Sequence, residues 1–272
     1  MTSGNPFDLW LSVVTVVRND VKGFESTIIS LQGQVRDGVE FIVVDGSSDP
    51  DEIPRVLEQF SDLNAIYKYV QPTGVYPAMN VGLELARGEY ILFANAGDSF
   101  TSGEVLGHMR KIVEQRAPFW IVGRVCIVDV QGHSVITDLI NFSKERSRLF
   151  ARGKFPPHQA TIARVKTLRS LGGFSGEYSV AADYHVALKL GEIAPPHITD
   201  QVLMAFSEGG LSTQQWQKSF GEFHRARQAV YAPRGVARWV ELSDTYWHYF
   251  RVWVFRNIFA RYGSSWRKEG RP

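Results

Sequence analysis

The chain has very little cysteine and lacks any long apolar run. Cys126 is the single cysteine among 272 residues, which excludes an internal disulfide and is typical of a reducing compartment. No run of 18 apolar residues occurs, so we expect no segment that crosses a membrane. Residues 1–10 also lack a basic stretch followed by an apolar one, which favours a cytoplasmic location over secretion.

Several chemical signatures are absent as well. The sequence contains no Gly-x-Gly-x-x-Gly, no Gly-x-x-x-x-Gly-Lys, no Gly-x-Ser-x-Gly and no His-Glu-x-x-His. Their absence argues against dinucleotide oxidoreductases, P-loop enzymes, serine hydrolases and zinc hydrolases. The composition is 44% hydrophobic and 21% charged, which is ordinary for a folded globular protein.

Up to about residue 118 the chain alternates between apolar, β-branched runs and segments with helical spacing. The runs predict buried strands and the spacing predicts helices between them. The predicted strands are residues 11–17, 40–45, 65–70 and 89–94, and the predicted helices are residues 23–34, 51–60, 75–86 and 102–115. Four successive strand–helix units predict an α/β protein with a doubly wound parallel sheet and helices on both faces.

After residue 118 the alternation changes. We expect mixed or antiparallel strands there, separated by short helices. The predicted strands are residues 119–130, 134–136, 159–163 and 197–206, and the predicted helices are residues 164–171 and 181–191. From residue 214 the pattern is helical and is interrupted near Pro233. We therefore predict one large domain over residues 1–213 and a helical C-terminal extension over residues 214–272.

The extension differs from the rest of the chain in charge and in tryptophan content. The whole chain has a formal charge of +2, but residues 215–272 contain eleven Lys or Arg and four Asp or Glu, and five of the seven Trp. A basic, Trp-rich segment is typical of a membrane surface. On a helical wheel, however, the apolar residues of 246–260 fall nearly all round, so a helical cap on the domain and a homo-oligomer contact remain open alternatives. We expect no nucleic-acid binding, because no binding motif accompanies the charge.

Acidic residues follow two of the predicted strands. Asp45 ends one strand, and Asp98 comes shortly after another, in Asn95-Ala96-Gly97-Asp98. Open α/β sheets place ligands at the carboxyl ends of their strands. A lone carboxylate beside small residues suits a divalent cation bound to a pyrophosphate, which indicates a nucleotide-sugar site. Two structural alternatives remain open, Asp45 as a helix cap and Asp98 as a turn residue.

Two further residues could take part in chemistry. Asp183 lies at the start of the predicted helix 181–191, where it either stabilises the first helical turn or acts as a general base. His158 follows Pro156 and Pro157. The two prolines make the backbone before this histidine rigid. An exposed histidine after such a segment indicates either a binding site or an ordinary surface group.

Eight short blocks in a fixed order resemble the family 2 glycosyltransferases with the GT-A fold. More closely, the chain resembles the bacterial subgroup that builds capsular or exopolysaccharides and glycolipids. The blocks are residues 12–20, 43–49, 74–80, 94–98, 157–159, 172–174, 182–184 and 209–212. The resemblance implies a GT-A domain, in which a nucleotide-binding half of about residues 10–118 precedes an acceptor half of about residues 119–213. The C-terminal extension lies outside the resemblance.

The resemblance implies an inverting transferase that moves a sugar from a nucleotide-diphosphate sugar to a hydroxyl of a glycan or lipid-linked acceptor. Asp183 would be the catalytic general base, and Asp98 would bind Mg²⁺ or Mn²⁺. The nucleotide sugar would contact Thr15, Val17, Asn19, Asp45, Tyr76, Asn80, Asn95, Ala96 and Gly97. The acceptor or the diphosphate would contact His158, Gln159, Ala182, Tyr184 and Ser212. Such an enzyme would be cytoplasmic, or peripheral on the inner face of the membrane.

The sequence departs from the family pattern at the carboxylates. Asn95 and Gly97 stand where the usual metal motif has acids, and Ala182 replaces the Glu that usually precedes the base. The reduced carboxylate set makes one rival plausible, a catalytically weak partner protein that binds nucleotide sugars. A second rival is a sugar nucleotidyltransferase, although the segment after the first strand has no Gly-x-Gly.

Overall fold

The computed structural model describes residues 9–35, 38–129, 131–139, 142, 155–207 and 215–254. The strands are β1 (Leu11–Val17), β2 (Val39–Asp45), β3 (Ile66–Tyr69), β4 (Tyr90–Phe93), β5 (Ser99–Phe100), β6 (Trp120–Val128), β7 (Ser134–Ile136), β8 (Thr161–Arg164) and β9 (His197–Ser207). The α-helices are α1 (Val21–Leu31), α2 (Glu52–Glu58), α3 (Val75–Leu85), α4 (Val105–Arg116), α5 (Val165–Ser170), α6 (Ala182–Ile193), α7 (Trp216–Tyr231) and α8 (Val236–Val254). Short 3₁₀ helices cover Ser61–Leu63 and His158–Ala160.

The strands form one mixed sheet in the order β3-β2-β1-β4-β8-β6-β9-β5, with β7 paired to β6. Strands β1 to β4 are parallel to one another. Strand β8 is antiparallel to both β4 and β6, and β6 forms an antiparallel hairpin with β7. The prediction of a parallel half followed by mixed or antiparallel strands is thus confirmed.

Both faces of the sheet are covered by apolar clusters, as a parallel sheet requires. Every residue of β1 is buried, and its side chains alternate between the faces. Val14 and Val16 contact the cluster that contains Met79 of α3, whereas Val13 and Val17 contact the cluster on the opposite face. A Cβ atom at Gly82 would overlap Val14 Cγ1, so glycine allows α3 to lie close against β1.

The element boundaries agree with the predicted ones to within a few residues, with one strand missed. Strands β1 and β7 have the predicted bounds, and the interruption of the tail separates α7 from α8. The two-residue strand β5, which pairs with β9, was not predicted because a pair of residues carries no periodicity. Within the described ranges, no helix has both the length and the apolar character needed to cross a membrane.

The C-terminal helices pack onto the sheet domain. Arg227 of α7 is 2% exposed, and its guanidinium donates to Tyr184 Oη of α6 at 3.0 Å, Glu241 Oε1 at 2.7 Å and Thr245 Oγ1 at 2.6 Å. A buried guanidinium is tolerated only with such partners. These bonds join α6, α7 and α8, which agrees with the alternative that the extension is a helical cap on the domain. The domain boundary at residue 213 stays a prediction.

Candidate active site

The turn after β4 positions Asp98. Asp98 N donates to Asn95 O at 2.9 Å, and Asp98 Oδ2 accepts from Asn95 N at 2.8 Å. Gly97 has a φ of +93°, in the left-handed region that favours glycine. The turn thereby directs the Asp98 side chain inward, where the residue is only 5% exposed.

The surroundings of Asp98 fit a divalent cation. Burial raises the pKa of the Asp98 carboxyl to about 6, although the nearby His158 and hydrogen bonds from Asn95 and Gln159 act in the opposite direction. Asn95 Oδ1 is buried and has no hydrogen-bond partner among the described residues. Carboxylate and amide oxygens are ligands that hard cations prefer, and a cation would satisfy both groups.

The protein alone offers few ligands at this position. In the part of the chain that the structure describes, no group of three or more His, Cys, Asp or Glu residues is arranged to hold a metal ion. Asp98 and Asn95 would therefore form an incomplete set. Mg²⁺ and Mn²⁺ sites of this kind are commonly completed by substrate phosphates and water.

Asp183 lies in the first turn of α6 and is held by three different elements. Its Oδ1 accepts from Tyr76 Oη of α3 at 3.0 Å and from Tyr184 N at 2.8 Å, and its Oδ2 lies 3.3 Å from His158 Nδ1. The side chain keeps 15% of its surface exposed. Burial and the Asp183 charge raise the pKa of Tyr76 above its usual value. Tyr76 therefore stays a protonated donor, and its one proton is shared between this carboxylate and Val180 O at 2.8 Å.

His158 links Asp183 to the turn that contains Asp98. The prediction that it is exposed is wrong, since its side chain is only 19% exposed. His158 Nδ1 faces Asp183, and Nε2 lies 3.1 Å from Asn95 Nδ2. Burial disfavours the charged ring, but Asp183 and Asp98 raise the pKa of His158 overall. When Nε2 carries no proton, it accepts from the Asn95 amide nitrogen and leaves the Asn95 oxygen available to a cation.

Glu222 of α7 is a site-supporting residue that the sequence did not reveal. Its carboxylate accepts from the backbone N–H groups of Ser179 at 3.2 Å, Val180 at 2.8 Å and Ala181 at 3.0 Å, and from Ser179 Oγ at 3.0 Å. Burial alone would raise the pKa of Glu222, but these bonds lower it. The segment held in this way leads directly into α6. Glu222 lies outside the resemblance and more than 40 residues from its partners, so no local pattern indicated it.

We expect Glu222→Gln to lower kcat by roughly tenfold with little change in the KM for the donor, because the amide cannot accept all four bonds and the start of α6 would shift. Steady-state kinetics of donor consumption would measure both constants. Glu114→Gln, an exposed change on α4, is the matched control. Unchanged kcat in a Glu222→Gln protein with a normal melting temperature would contradict this positioning role.

Two residues predicted to contact the nucleotide are fully buried at the ends of β1 and β2. Thr15 Oγ1 donates to Ala94 O at 2.6 Å. Asp45 accepts from Ser47 N at 2.8 Å and from Tyr67 Oη at 3.0 Å. The helix that follows β2 begins after Asp51, so Asp45 does not cap it. Both side chains thus order the strand ends, and their nucleotide contacts stay a prediction.

Asn19 and Val17 lie on the same strand edge in different surroundings. Asn19 is exposed and has a φ of +53°. It bonds twice to the loop after β2: Asn19 N donates to Ser47 Oγ at 2.9 Å, and Asn19 Oδ1 accepts from Ser48 N at 2.8 Å. Val17 is 4% exposed. The Asn19 bridge joins the loops after β1 and β2 and shapes the edge of the sheet next to the Asn95–Asp98 turn.

Four more residues were predicted to contact the donor or the acceptor. Three of them are bonded or buried within the protein, and one lies outside the described residues. The Asn80 amide accepts from Phe174 N and donates to Phe174 O, both at 2.8 Å, and so holds the loop before α6. Ala182 and Tyr184 are fully buried. Ser212 lies outside the described residues. Their contacts with donor or acceptor remain predictions.

The structure thus brings together residues from four separate parts of the sequence. The group comprises Tyr76, Asn95, Asp98, His158, Gln159 and Asp183. Asp98 follows β4 and Asp183 lies in the first turn of α6, and His158 bonds both to Asp183 and to Asn95 of the turn that contains Asp98. Both acids lie where the sequence predicted them, after a strand and at a helix start, while their roles stay predictions.

Comparison with known proteins identifies the family. Residues 12–171, more than half of the chain, match glycosyl transferase family 2, and the chain belongs to this family. An uncharacterized glycosyltransferase of Mycobacterium tuberculosis is 27% identical over 265 residues, which cover 92% of this chain and 97% of the relative. A PGL/p-HBAD biosynthesis glycosyltransferase of the same species is 24% identical over 220 residues, covering 77% and 81%.

Solved structures confirm the GT-A fold. The mannosyltransferase PcManGT of Pyrobaculum calidifontis, solved in complex with GDP-Man and Mn²⁺, superimposes with a TM-score of 0.64 at 18% identity, and the match covers 96% of this chain and 76% of that one. The family match shows that the chain is a glycosyltransferase, as predicted. The family match favours this interpretation over a sugar nucleotidyltransferase.

Proposed function

We propose that the chain transfers a sugar from a nucleotide-diphosphate sugar to a hydroxyl group with inversion at the anomeric carbon. The observation that carries this proposal is Asp183, a partly exposed carboxylate held by Tyr76, Tyr184 N and His158. The domain of residues 1–213 would contain both the donor half and the acceptor half. A nucleotide-sugar donor is also bound by the related mannosyltransferase structure.

The donor would bind beside the turn that contains Asp98. Asp98 and Asn95 would hold Mg²⁺ or Mn²⁺, and the cation would stabilise the negative charge of the departing diphosphate. The buried Asp98 carboxyl and the Asn95 oxygen, which has no hydrogen-bond partner within the described ranges, support this assignment, as does the Mn²⁺ in the mannosyltransferase complex. Gln159 hydrogen-bonds to Asp98 and would keep its carboxylate oriented.

Asp183 would accept the proton of the acceptor hydroxyl. An unactivated sugar hydroxyl has a pKa far above 7, so attack on the anomeric carbon needs a base within hydrogen-bond reach. The Tyr76 hydroxyl and the Tyr184 N–H would hold the carboxylate, and His158 would contact its other oxygen. A single base opposite the leaving group gives a single displacement, which inverts the configuration.

The acceptor would be a glycan or a lipid-linked molecule. The similarity to a relative named for PGL/p-HBAD biosynthesis supports a glycolipid acceptor. The enzyme would then act in the cytoplasm, and a lipid-linked acceptor would require contact with the inner face of a membrane. The candidate for that contact is the basic, Trp-rich segment 215–272.

Slow hydrolysis of the donor tests the proposal without knowledge of the acceptor. We expect the sugar first released into water to have the anomeric configuration opposite to that in the donor, because water would take the acceptor's place beside Asp183. Proton NMR during the first minutes of the reaction, across UDP, GDP, dTDP and CDP sugars, would read the configuration before it equilibrates. Release with retained configuration would contradict the single displacement.

A further inference from the structure

We propose that the outward face of α8 docks onto an anionic lipid bilayer. Large apolar side chains are exposed there at helical spacing, with Trp239 at 73%, Tyr246 at 69%, Trp247 at 61% and Phe250 at 52% of their surfaces exposed. Val236 and Val240 extend the same face toward the start of the helix, at 78% and 54%. The rings of Trp247 and Phe250 stack at 6.1 Å, so the C-terminal part of this face forms one aromatic cluster.

The opposite side of α8 packs against α7. Thr245 is 8% exposed and, like Glu241, bonds to Arg227 of α7. On the helical wheel these two residues lie across from the aromatic face. Packing against α7 therefore uses one side of the helix and leaves the other side, with its aromatic residues, uncovered among the described residues. An exposed apolar patch of this size indicates an interaction surface.

The chemistry of this face favours a bilayer. Trp and Tyr combine an apolar ring with a polar group and are enriched where hydrocarbon meets the headgroups. Arg238 and Arg251 of α8 are exposed, and residues 255–272 add four Arg and one Lys against one Glu. Cations near an interfacial helix are attracted by anionic lipids.

The charge also argues against a second copy of the chain as the occupant. Segment 215–272 has a net charge of +7, so a symmetric contact through α8 would bring two strongly positive segments together. An anionic surface would instead be attracted to the same charges. This inference does not depend on the donor chemistry, and binding to vesicles can succeed or fail whether or not the proposed transfer occurs.

Flotation of the full chain with lipid vesicles tests the proposal. We expect binding to phosphatidylcholine vesicles that contain phosphatidylglycerol, weaker binding to phosphatidylcholine alone, and weakening by salt. The triple variant Trp239→Ser, Trp247→Ser, Phe250→Ser should reduce partitioning at least about tenfold. Ile29→Ser, on α1 and 58% exposed, is the control and should bind like the parent.

The substituted residues are exposed, so the variants should keep the parent's melting temperature. If the folded triple variant partitioned as well as the parent, the α8 face would not be the docking surface. The proposal would also be overturned if the parent failed to float and instead formed a concentration-dependent dimer, seen by sedimentation, that the triple variant abolished. That outcome would assign the face to a second copy.

Discussion

Asp183→Asn is expected to reduce sugar transfer by roughly 10²–10⁴-fold while leaving donor binding nearly unchanged. The amide has the same shape as the carboxylate, and its oxygen can still accept from Tyr76 and from Tyr184 N. It cannot accept the proton of an attacking hydroxyl, however. The loss should therefore appear in kcat, which initial rates at saturating donor would measure.

A matched change separates this effect from a general loss of negative charge. Asp129 lies between β6 and β7 and, like Asp183, accepts a backbone hydrogen bond and faces a histidine. Asp129→Asn should keep full activity. If a folded Asp183→Asn protein also kept full activity, Asp183 would not be the base.

Asp98→Ala is expected to lower transfer by a similar factor, roughly 10²–10⁴-fold, through loss of charge stabilisation at the diphosphate. The change removes the carboxylate that the Asn95–Asp98 turn directs inward. Without it, Asn95 Oδ1 would be the remaining oxygen of the pair that we assign to the cation. We therefore expect the stimulation by Mn²⁺ to fall together with the rate.

Asp98→Asn is the informative companion to that variant. Its side-chain oxygen can still accept from Asn95 N and keep the turn, so only the charge is lost. We expect Asp98→Asn to fold like the parent and to show the same loss of Mn²⁺ stimulation. Normal Mn²⁺ stimulation in both variants would remove Asp98 from the metal site.

The fold was largely predictable because its first half consists of strands covered on both faces. Such strands appear in the sequence as continuous apolar runs, and β1 was predicted at its observed bounds. Strand β5 could not be predicted, since its two residues are positioned by pairing with β9. The order of strands after β4 likewise depends on contacts between residues far apart in the sequence.

The candidate site was predictable only where a residue follows a recognisable element. Asp98 after a strand and Asp183 at a helix start were found in this way. The burial of His158 was missed, because it results from Asn95 and Asp183 closing around the ring. Glu222 was missed for the same reason, since its role depends on how α7 packs against the start of α6.

The most direct measurement is a thermal-shift panel of UDP, GDP, dTDP and CDP sugars, with and without Mn²⁺, on the parent protein and on Asp98→Asn. A ligand that binds the folded state raises the melting temperature by mass action. The account predicts that one nucleotide class stabilises the parent, that Mn²⁺ enlarges the shift, and that Asp98→Asn loses the enlargement. A shift that Mn²⁺ leaves unchanged in the parent, or enlarges equally in Asp98→Asn, would contradict it.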